Sequence, residues 1–413
     1  MLNFYVSLWF FIQVAAAIVL FRLSLPVLPN WFRQVLLLGV SAYFLSSLAN
    51  ALNFGPVLLV YLALVISLGQ AALLTKGRMQ SALITGGCVF AVLVLAVFKY
   101  AYVFESVNVG MSLANQLRAL HWIGMSYLTF KAIDYCLTMR LPSVAAQRKN
   151  SWLFAASYLV FFPAFISGPI NRFAPYLAEQ NAPPRAMSAI RVRNNVLRAS
   201  LGVVKILFFA KVARAYSLLG PELEGTSPIS LLRLSRSLYC YYLYFYFDFS
   251  GYCDAAIAVA DFLEVRLPEN FRYPLLSSSP QDFWNRWHIT LSHWVRDRVF
   301  FPLVRLLVTR FSALPTLLAS VVSIAITFTL VGAWHGDRPN WILYGTYHGI
   351  ALSAELCYRS LMERFCPDLY ERLLRARAYR AVTTFLTFNF VAWGLLLTLP
   401  LPTAWAFIQR TNF

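Results

Sequence analysis

The chain has 413 residues, of which 59% are hydrophobic and only 13% are charged. Globular domains carry about a quarter charged residues, so this composition excludes a single soluble core and favours a lipid bilayer as the solvent. Lys and Arg outnumber Asp and Glu by 35 to 17. Because the cations fall in alternate loops between apolar segments, the basic excess indicates membrane topology rather than a nucleic-acid partner.

Apolar segments long enough to cross a bilayer recur along the whole chain. We predict an all-α polytopic membrane protein with about ten transmembrane helices. The first segment has no charged region before it and no small-residue cleavage site, so it is expected to be a retained span rather than a signal peptide. The predicted spans are 5–24, 32–52, 54–75, 81–103, 119–139, 199–219, 229–260, 314–334, 341–359 and 381–401.

The loops between these spans alternate in charge. The loops with Arg22 and Arg33, with Lys76 and Arg78, and with the cations of 140–149 are basic. The intervening loops are nearly free of Lys and Arg: 49–53, 102–116 and 221–224. By the positive-inside rule the basic loops face the cytoplasm. The N-terminus is then expected outside, and with ten spans the C-terminus as well.

Three segments between the predicted spans do not have the pattern of a transmembrane helix. The segment 161–172 carries two prolines and a glycine in apolar sequence, which predicts a half-span that enters the membrane and returns. The segment 183–198 holds four arginines after two prolines and is expected to form a cytoplasmic loop and a short helix. The segment 266–310 places four large apolar side chains on one predicted helical face, typical of an interfacial helix: Trp284, Trp287, Leu291 and Trp294.

Two histidines carry the clearest functional signal. His335 and His348 are thirteen residues apart in apolar sequence, each preceded by an aromatic residue and followed by glycine. Histidine exchanges protons near neutral pH, and an ionisable residue at membrane depth usually marks a functional path. A structural role as hydrogen-bonding helix glue remains the alternative. His288 is expected to be structural or channel-lining, and His293 interfacial.

Other ionisable and thiol side chains have plainer interpretations. Asp248 and Asp254 lie in an apolar span, where an unpaired carboxylate is costly; an ion pair with an arginine of 286–298 is as good an explanation as catalysis. Asp134 is open to the same interpretation, with Lys131 nearby on its helix. The six cysteines show no CxxC or CxxH spacing, so we expect neither disulfides nor a metal site.

Six segments in this order resemble the membrane-bound O-acyltransferase family: 162–173, 247–254, 268–274, 282–297, 334–336 and 347–349. The resemblance begins near residue 120; the first hundred residues share only their apolar spans. It implies one membrane-embedded acyltransferase domain over 1–413, with N-terminal spans in 1–118 and the motif core in 119–413. It also implies a ring of tilted helices, with re-entrant segments, around a thin centre crossed by a tunnel.

The resemblance further implies roles for individual residues. His348 matches the essential histidine of the family and His335 the second, frequently important one. Substrate or tunnel contacts are expected from seven residues: Trp334, Asn285, Arg286, Trp287, His288, Asp248 and Ser250. The chain is most similar to the bacterial branch, which includes the teichoic-acid D-alanyl transferase and transferases that acetylate alginate and other exopolysaccharides. Its length and residues 124–130 favour the D-alanyl type.

The predicted reaction moves a D-alanyl or acetyl group from a cytoplasmic thioester to a hydroxyl of an extracytoplasmic cell-envelope polymer. His348 is the expected general base, and His335 would orient the substrate or polarise the thioester carbonyl. No GxSxG or P-loop motif appears, so neither a covalent acyl-enzyme nor an ATP step is supported. The resemblance implies an acyl carrier protein's phosphopantetheine arm or acyl-CoA as donor, with no resident cofactor.

The expected partners follow from this topology. Arg296 and Arg298 are the predicted docking residues for the anionic donor on the cytoplasmic side. Outside, the partner would be the polymer itself or a secondary acyltransferase, and membrane lipid surrounds a multi-pass protein of the inner, cytoplasmic membrane. Two rival hypotheses remain: a transporter or flippase using the same tunnel, against which no internal repeat is seen, and a non-catalytic scaffold for polysaccharide export.

Overall fold

The computed structural model describes residues 8–25, 28–52, 55–100, 124–146, 151–220 and 227–412. These residues form an all-α membrane protein, with one small parallel pairing of Ile229–Ser230 with Thr411–Asn412. The longer helices are Leu8–Ser24, Asn30–Leu52, Gly55–Leu74, Gly77–Lys99, Met125–Thr138, Ser151–Leu159, Phe173–Asn181, Ala189–Val204, Leu231–Phe262, Phe301–Arg310, Thr316–His335, Pro339–Phe365, Pro367–Arg375, Arg377–Gly394 and Leu401–Gln409.

Four helices in the described part of the chain are long and apolar enough to cross a membrane: Gly55–Leu74, Gly77–Lys99, Thr316–His335 and Arg377–Thr398. Each overlaps a span predicted from the sequence. Residues 101–123, which include the start of the predicted span 119–139, lie outside the described residues. The total of ten spans, their ring arrangement and the tunnel stay predictions.

The chain divides into two compact units. The first unit comprises Met1–Leu201 with Tyr252–Pro268, and the second comprises Gly202–Gly251 with Glu269–Phe413. All of the residues predicted for the site belong to the second unit. The proposal of a single acyltransferase domain over 1–413 stays a prediction.

In the first unit, the predicted interruption at 161–172 is a break between helices. A short buried helix, Phe162–Phe165, is followed by irregular chain until Phe173–Asn181 begins. Pro163 stands at the start of the short helix, where its missing N–H costs no hydrogen bond. The Tyr158 hydroxyl donates to the Asn171 carbonyl at 2.9 Å, which ties the irregular segment to the preceding helix.

The carboxylate of Asp134, on the helix Met125–Thr138, is fully buried and binds the end of this irregular segment. Arg172 Nη1 donates to Asp134 Oδ1 at 2.9 Å, and the Phe173 N–H donates to Oδ2 at 2.8 Å. The expected pairing of Asp134 with Lys131 is therefore wrong: the Lys131 ammonium lies 4.7 Å from the centre of the Tyr158 ring. An arginine can bind a carboxylate in the plane of its guanidinium, which a lysine cannot do.

Three of the four arginines of 183–198 are paired with acids within the first unit. Arg185 and Arg191 both bind Asp261, at 2.9 and 2.7 Å, and both also reach Glu264. Arg198 Nε donates to Asp254 at 3.0 Å. Of the two interpretations open for Asp254, the structure shows the ion pair, but the arginine that supplies it is Arg198 rather than one of 286–298.

In the second unit, two helices bring the sequence-predicted histidines together. Thr316–His335 packs against Pro339–Phe365 with very close backbone contact. A Cβ placed on Gly345 would lie 2.2 Å from the Phe328 carbonyl oxygen and 2.8 Å from the Gly332 Cα. Only glycine leaves room for this approach, so Gly345 helps to set the distance between the two histidine-bearing helices.

The predicted Trp-rich helix is not continuous. Pro280–Trp284 and Ile289–Val295 are separate short helices, and His288 between them has a left-handed backbone with φ of +44°. Trp284 and Trp287 therefore do not share one helical face with Leu291 and Trp294. The chain then continues through a π-helical turn, Arg296–Phe300, into Phe301–Arg310.

Candidate active site

His348 lies on Pro339–Phe365 and is completely buried, with 0% of its surface exposed. Neither ring nitrogen has a hydrogen-bond partner among the described residues. Aromatic rings surround the imidazole at centroid distances of 4.7 to 6.1 Å: Tyr344, Trp284, Phe390, Tyr347 and Phe283. Packing against rings, rather than a carboxylate, therefore orients this histidine.

An unpartnered imidazole in such a place has a cost. A buried donor or acceptor left unsatisfied destabilises a protein by about 1–3 kcal/mol, and most native buried polar atoms do have partners. A neutral imidazole has one nitrogen that accepts and one that donates. His348 can therefore take a proton from one group and donate a hydrogen bond to another, as a general base needs to do.

His335 ends the helix Thr316–His335 and is half-buried. Tyr344 lies between the two histidines, with ring centroids 4.7 Å from His348 and 6.4 Å from His335. On its other side, His335 contacts Trp334 at 4.6 Å, and Trp334 contacts His288 at 6.4 Å. One row of aromatic rings thus connects His348, His335 and His288.

Asn270 holds His288 at the end of this row. Its side-chain oxygen accepts the Thr290 N–H at 3.2 Å and the Thr290 hydroxyl at 2.9 Å, and it lies 3.2 Å from His288 Nδ1. Because an amide oxygen only accepts, the proton of a neutral His288 is assigned to Nδ1. Asn270 lies eighteen positions before His288 in the sequence. Its contacts with His288 and Thr290 hold the backbone of His288 in its left-handed conformation.

The other predicted tunnel residues vary in setting. Trp287 stacks on Phe283 at 5.5 Å, Arg286 pairs with Asp282 at 2.7 Å, and Asn285 is exposed. Asp248 is half-buried, with Arg214 as the cation whose charge acts on it. Ser250 is buried, and its hydroxyl has no partner among the described residues.

The predicted docking arginines lie beside a surface groove. Arg296 is exposed and pairs with the adjacent Asp297 at 3.0 Å, while Arg298 is half-buried. The groove has a volume of about 490 Å³, and it is lined by Asp297, Phe301, Pro302, Arg305, Leu306 and Thr309. It thus combines apolar side chains with a basic one, Arg305, which the sequence analysis did not single out.

The sequence analysis missed two rings at the centre of the site, Trp284 and Tyr344. Trp284 was assigned only to an interfacial helical face, and Tyr344 was not considered. One sequence signal could have found Tyr344: it precedes His348 by four residues, so the two share a helical face. Nothing local to Trp284 predicts its contact with His348, because the two residues are 64 positions apart.

A buried, unpartnered histidine among aromatic rings on an all-α membrane scaffold is the arrangement that a membrane enzyme with a general base in an apolar site would need. Comparison with known proteins agrees. Residues 82–390 match MBOAT, the membrane-bound O-acyltransferase family. Because the match spans most of the chain, this protein belongs to that family.

Characterised relatives come from the bacterial branch. The chain is 29% identical to the teichoic acid D-alanyltransferase of Bacillus subtilis over 276 residues, which is 67% of this chain and 68% of the relative. It is 30% identical to the probable alginate O-acetylase AlgI of Pseudomonas aeruginosa, covering 70% of this chain and 54% of the relative. The peptidoglycan O-acetyltransferase of Helicobacter pylori is 27% identical, with 68% and 56% covered. All three are named as acyl-transferring enzymes.

Proposed function

We propose that this protein transfers an acyl group from a cytoplasmic thioester to a hydroxyl of an extracytoplasmic cell-envelope polymer. The observation that carries the proposal is His348, a fully buried imidazole whose two nitrogens have no partner among the described residues. Family membership supports the reaction class. The location in the cytoplasmic membrane, with several spans, is part of the same proposal and rests on the alternating charge of the loops.

The reaction follows from ordinary acyl-transfer chemistry. His348 accepts the proton of the acceptor hydroxyl as the oxygen attacks the thioester carbonyl carbon. The new C–O bond gives a tetrahedral intermediate, which collapses as the C–S bond breaks. The departing thiolate then takes the proton back from His348. His335, the half-buried histidine in the middle of the aromatic row, would orient the acceptor or the thioester.

The donor would reach the site from the cytoplasmic face. Carrier-protein phosphopantetheine and acyl-CoA are both anionic, and opposite charge speeds and orients such encounters. Arg296, Arg298 and the groove that includes Arg305 offer a basic surface with apolar side chains next to it. The arginines at 185–198 are a poorer candidate, because Arg185, Arg191 and Arg198 are held in half-buried ion pairs, whereas the pair of Arg296 with Asp297 is exposed.

The acyl group proposed first is D-alanyl, and acetyl is the second candidate. The match covers 68% of the D-alanyltransferase of Bacillus subtilis and 54% of the alginate O-acetylase of Pseudomonas aeruginosa, and the larger share favours the first. Identity is 29% and 30%, respectively, and favours neither. Mass spectrometry of envelope polymers from cells with and without the protein distinguishes the two groups by the mass added.

The test of the reaction uses purified protein in lipid vesicles, with donor thioester outside and acceptor polymer inside, or the reverse. Wild type should form ester on the polymer, His348→Ala should form none, and His335→Ala should retain part of the activity because an orienting group supplies part of the barrier reduction. A transporter would move the acyl donor or polymer without making ester. A scaffold would do neither, and unchanged turnover in His348→Ala would remove the catalytic assignment.

A further inference from the structure

Trp284 is a second buried side chain with an unsatisfied polar atom at the site. It is nine-tenths buried, and its indole N–H has no hydrogen-bond acceptor among the described residues. Its ring meets the ring of His348 at 5.2 Å and an interplanar angle of 83°. Three unpartnered polar atoms, two on His348 and one on Trp284, therefore lie within one aromatic enclosure.

Trp284 is held there by contacts that lead back to the helix of His348. The short helix Pro280–Trp284 is capped by Ser279, whose hydroxyl accepts the Asp282 N–H at 3.1 Å. The Gln281 N–H donates to Glu355 at 2.8 Å, and Arg359 donates to the Gln281 side chain at 2.7 Å.

Glu355 and Arg359 are seven and eleven residues beyond His348 on Pro339–Phe365. Residues with this spacing lie on the same face of an α-helix as His348. One helix face therefore carries the histidine together with the two side chains that bind the helix of Trp284. This arrangement fixes the indole relative to the imidazole before any substrate arrives.

The two phenylalanine rings packed on Trp284 offer its indole N–H no acceptor. Phe328 packs edge-on against Trp284 at 5.2 Å, and Phe283 does so at 5.4 Å. Neither ring offers an oxygen or nitrogen acceptor. A phenylalanine at position 284 would make similar ring contacts without burying an unsatisfied donor, which is costly.

We propose that Trp284 is a catalytic residue whose indole N–H donates a hydrogen bond to the carbonyl oxygen of the transferred acyl group. This inference rests on the proposed acyl transfer at His348. As the acceptor oxygen adds to the carbonyl carbon, the π electrons move onto the carbonyl oxygen, and the N–H stabilises that negative charge. When the C–S bond breaks, the carbonyl reforms and the thiolate receives the proton from His348. An aromatic enclosure strengthens this hydrogen bond because its dielectric constant is low.

The test compares Trp284→Phe with wild type and with a matched control, Trp294→Phe. Trp294 is also buried, on Ile289–Val295, and it is not among the rings around His348. Loss of one such donor lowers kcat by about 10²–10³-fold in other acyl transfers, so Trp284→Phe should lose about 10²-fold in kcat with both KM values near wild type. Trp294→Phe should keep the wild-type kcat.

A second variant distinguishes a loss of kcat caused by the missing hydrogen bond from one caused by altered packing. Replacing Trp284 with β-(3-benzothienyl)alanine keeps the size of the ring but has sulfur where the indole has N–H. The same loss of kcat, with an unchanged melting temperature, supports the hydrogen bond. Wild-type kcat in this variant overturns it, even if Trp284→Phe is impaired.

The pH profile separates this role from one acting through His348. If the indole only holds the imidazole, its removal should displace the pH dependence of kcat/KM and leave the plateau near wild type, and the proposal is then wrong. A loss of equal size at every pH supports the contact with substrate. If wild type forms no ester in the same vesicles, the proposed function itself fails. If wild type forms ester and the Trp284 variants are fully active, the failure belongs to Trp284.

Discussion

In the first unit, buried and half-buried acids are bound by arginines, whereas in the second unit the buried histidine of the site has no hydrogen-bond partner among the described residues. Asp134 accepts hydrogen bonds from Arg172 and from a backbone N–H, and Asp261 is bound by Arg185 and Arg191. His348 is surrounded by aromatic rings, and neither of its nitrogens is hydrogen-bonded within the described residues.

This difference between paired acids and an unpaired histidine indicates which side chains stabilise the protein and which are available for catalysis. A carboxylate that already holds its cation has little capacity to accept a substrate proton, and breaking the pair leaves a buried charge. An imidazole with no partner adds nothing to stability but is available to a substrate. We therefore expect substitutions in the two units to have opposite signatures: loss of stability in the first unit, and loss of activity without loss of stability in the second.

The largest effect is expected at His348. His348→Leu replaces a buried polar ring with an apolar side chain of similar size. Acyl transfer should fall by about 10²–10⁴-fold, the usual contribution of a general base. The melting temperature should equal or exceed that of wild type, because an unsatisfied buried group has been removed. The vesicle assay measures the loss of acyl transfer, and thermal unfolding in detergent measures the melting temperature. A clear drop in melting temperature would show that His348 has a structural role.

Asp134→Asn should behave in the opposite way. Breaking a buried ion pair costs about 3–5 kcal/mol, and we expect the lower end because Arg172 keeps 24% of its side chain exposed. The control is Glu371→Gln, which removes an exposed helix pair with Arg375 and should cost at most about 0.5 kcal/mol. The free energy of unfolding is measured for both. Equal stability of the two variants would contradict a structural role for the Asp134 pair.

A smaller effect, dependent on pH, is expected at Asp261, which lies one residue beyond the predicted span 229–260. Burial alone would raise the pKa of Asp261, but hydrogen bonds from Arg191 and Asn195, and the charges of Arg191 and Arg185, lower it to about 2. In the unfolded chain an aspartate has a pKa of about 3.9. The stabilisation is therefore complete above that pH and disappears as the pH falls towards about 2.

Asp261→Asn should accordingly lower the melting temperature by the same amount from pH 8 to about pH 5. The difference from wild type should shrink as the pH falls from about 4 to about 2, because the wild-type carboxylate becomes protonated. The measurement is thermal unfolding in detergent across this range. A difference that stays constant to the lowest pH would mean that the side chain stabilises the unit through packing rather than through its charge.

The sequence predicted what depends on local spacing and failed where distant residues decide. The spacing of His335 and His348 and their flanking glycines predicted that the two histidines belong to one site. In the structure both contact one ring, Tyr344. The break at His288 depends on Asn270, and the partner of Asp134 is Arg172, 38 positions away. Neither pairing leaves a periodic signal in the sequence. Trp284 was missed for the same reason, because its role depends on a contact with another helix.

The smallest expected effect concerns the donor surface. If Arg296 and Arg298 help to dock an anionic carrier or CoA, changing both to Glu should raise the donor KM several-fold and leave the acceptor KM unchanged, since the acceptor arrives from the opposite face. Attraction between exposed charges is screened over about 8–10 Å at physiological ionic strength. The wild-type donor KM should therefore rise with salt, and the double variant should lose that rise.

The control for this surface changes Arg233 and Arg236 to Glu. Both are exposed near the start of Leu231–Phe262, an end of the helix that the predicted topology places outside. This variant carries the same change in net charge, so an effect of total charge would appear in both. An increase in donor KM for Arg296 and Arg298 alone supports docking at the groove of 297–309. An unaltered donor KM in a folded double variant would show that the donor docks on another basic loop. The paired arginines of the first unit would be weak candidates there, because a docking partner would have to compete with Asp254, Asp261 and Glu264 for each guanidinium.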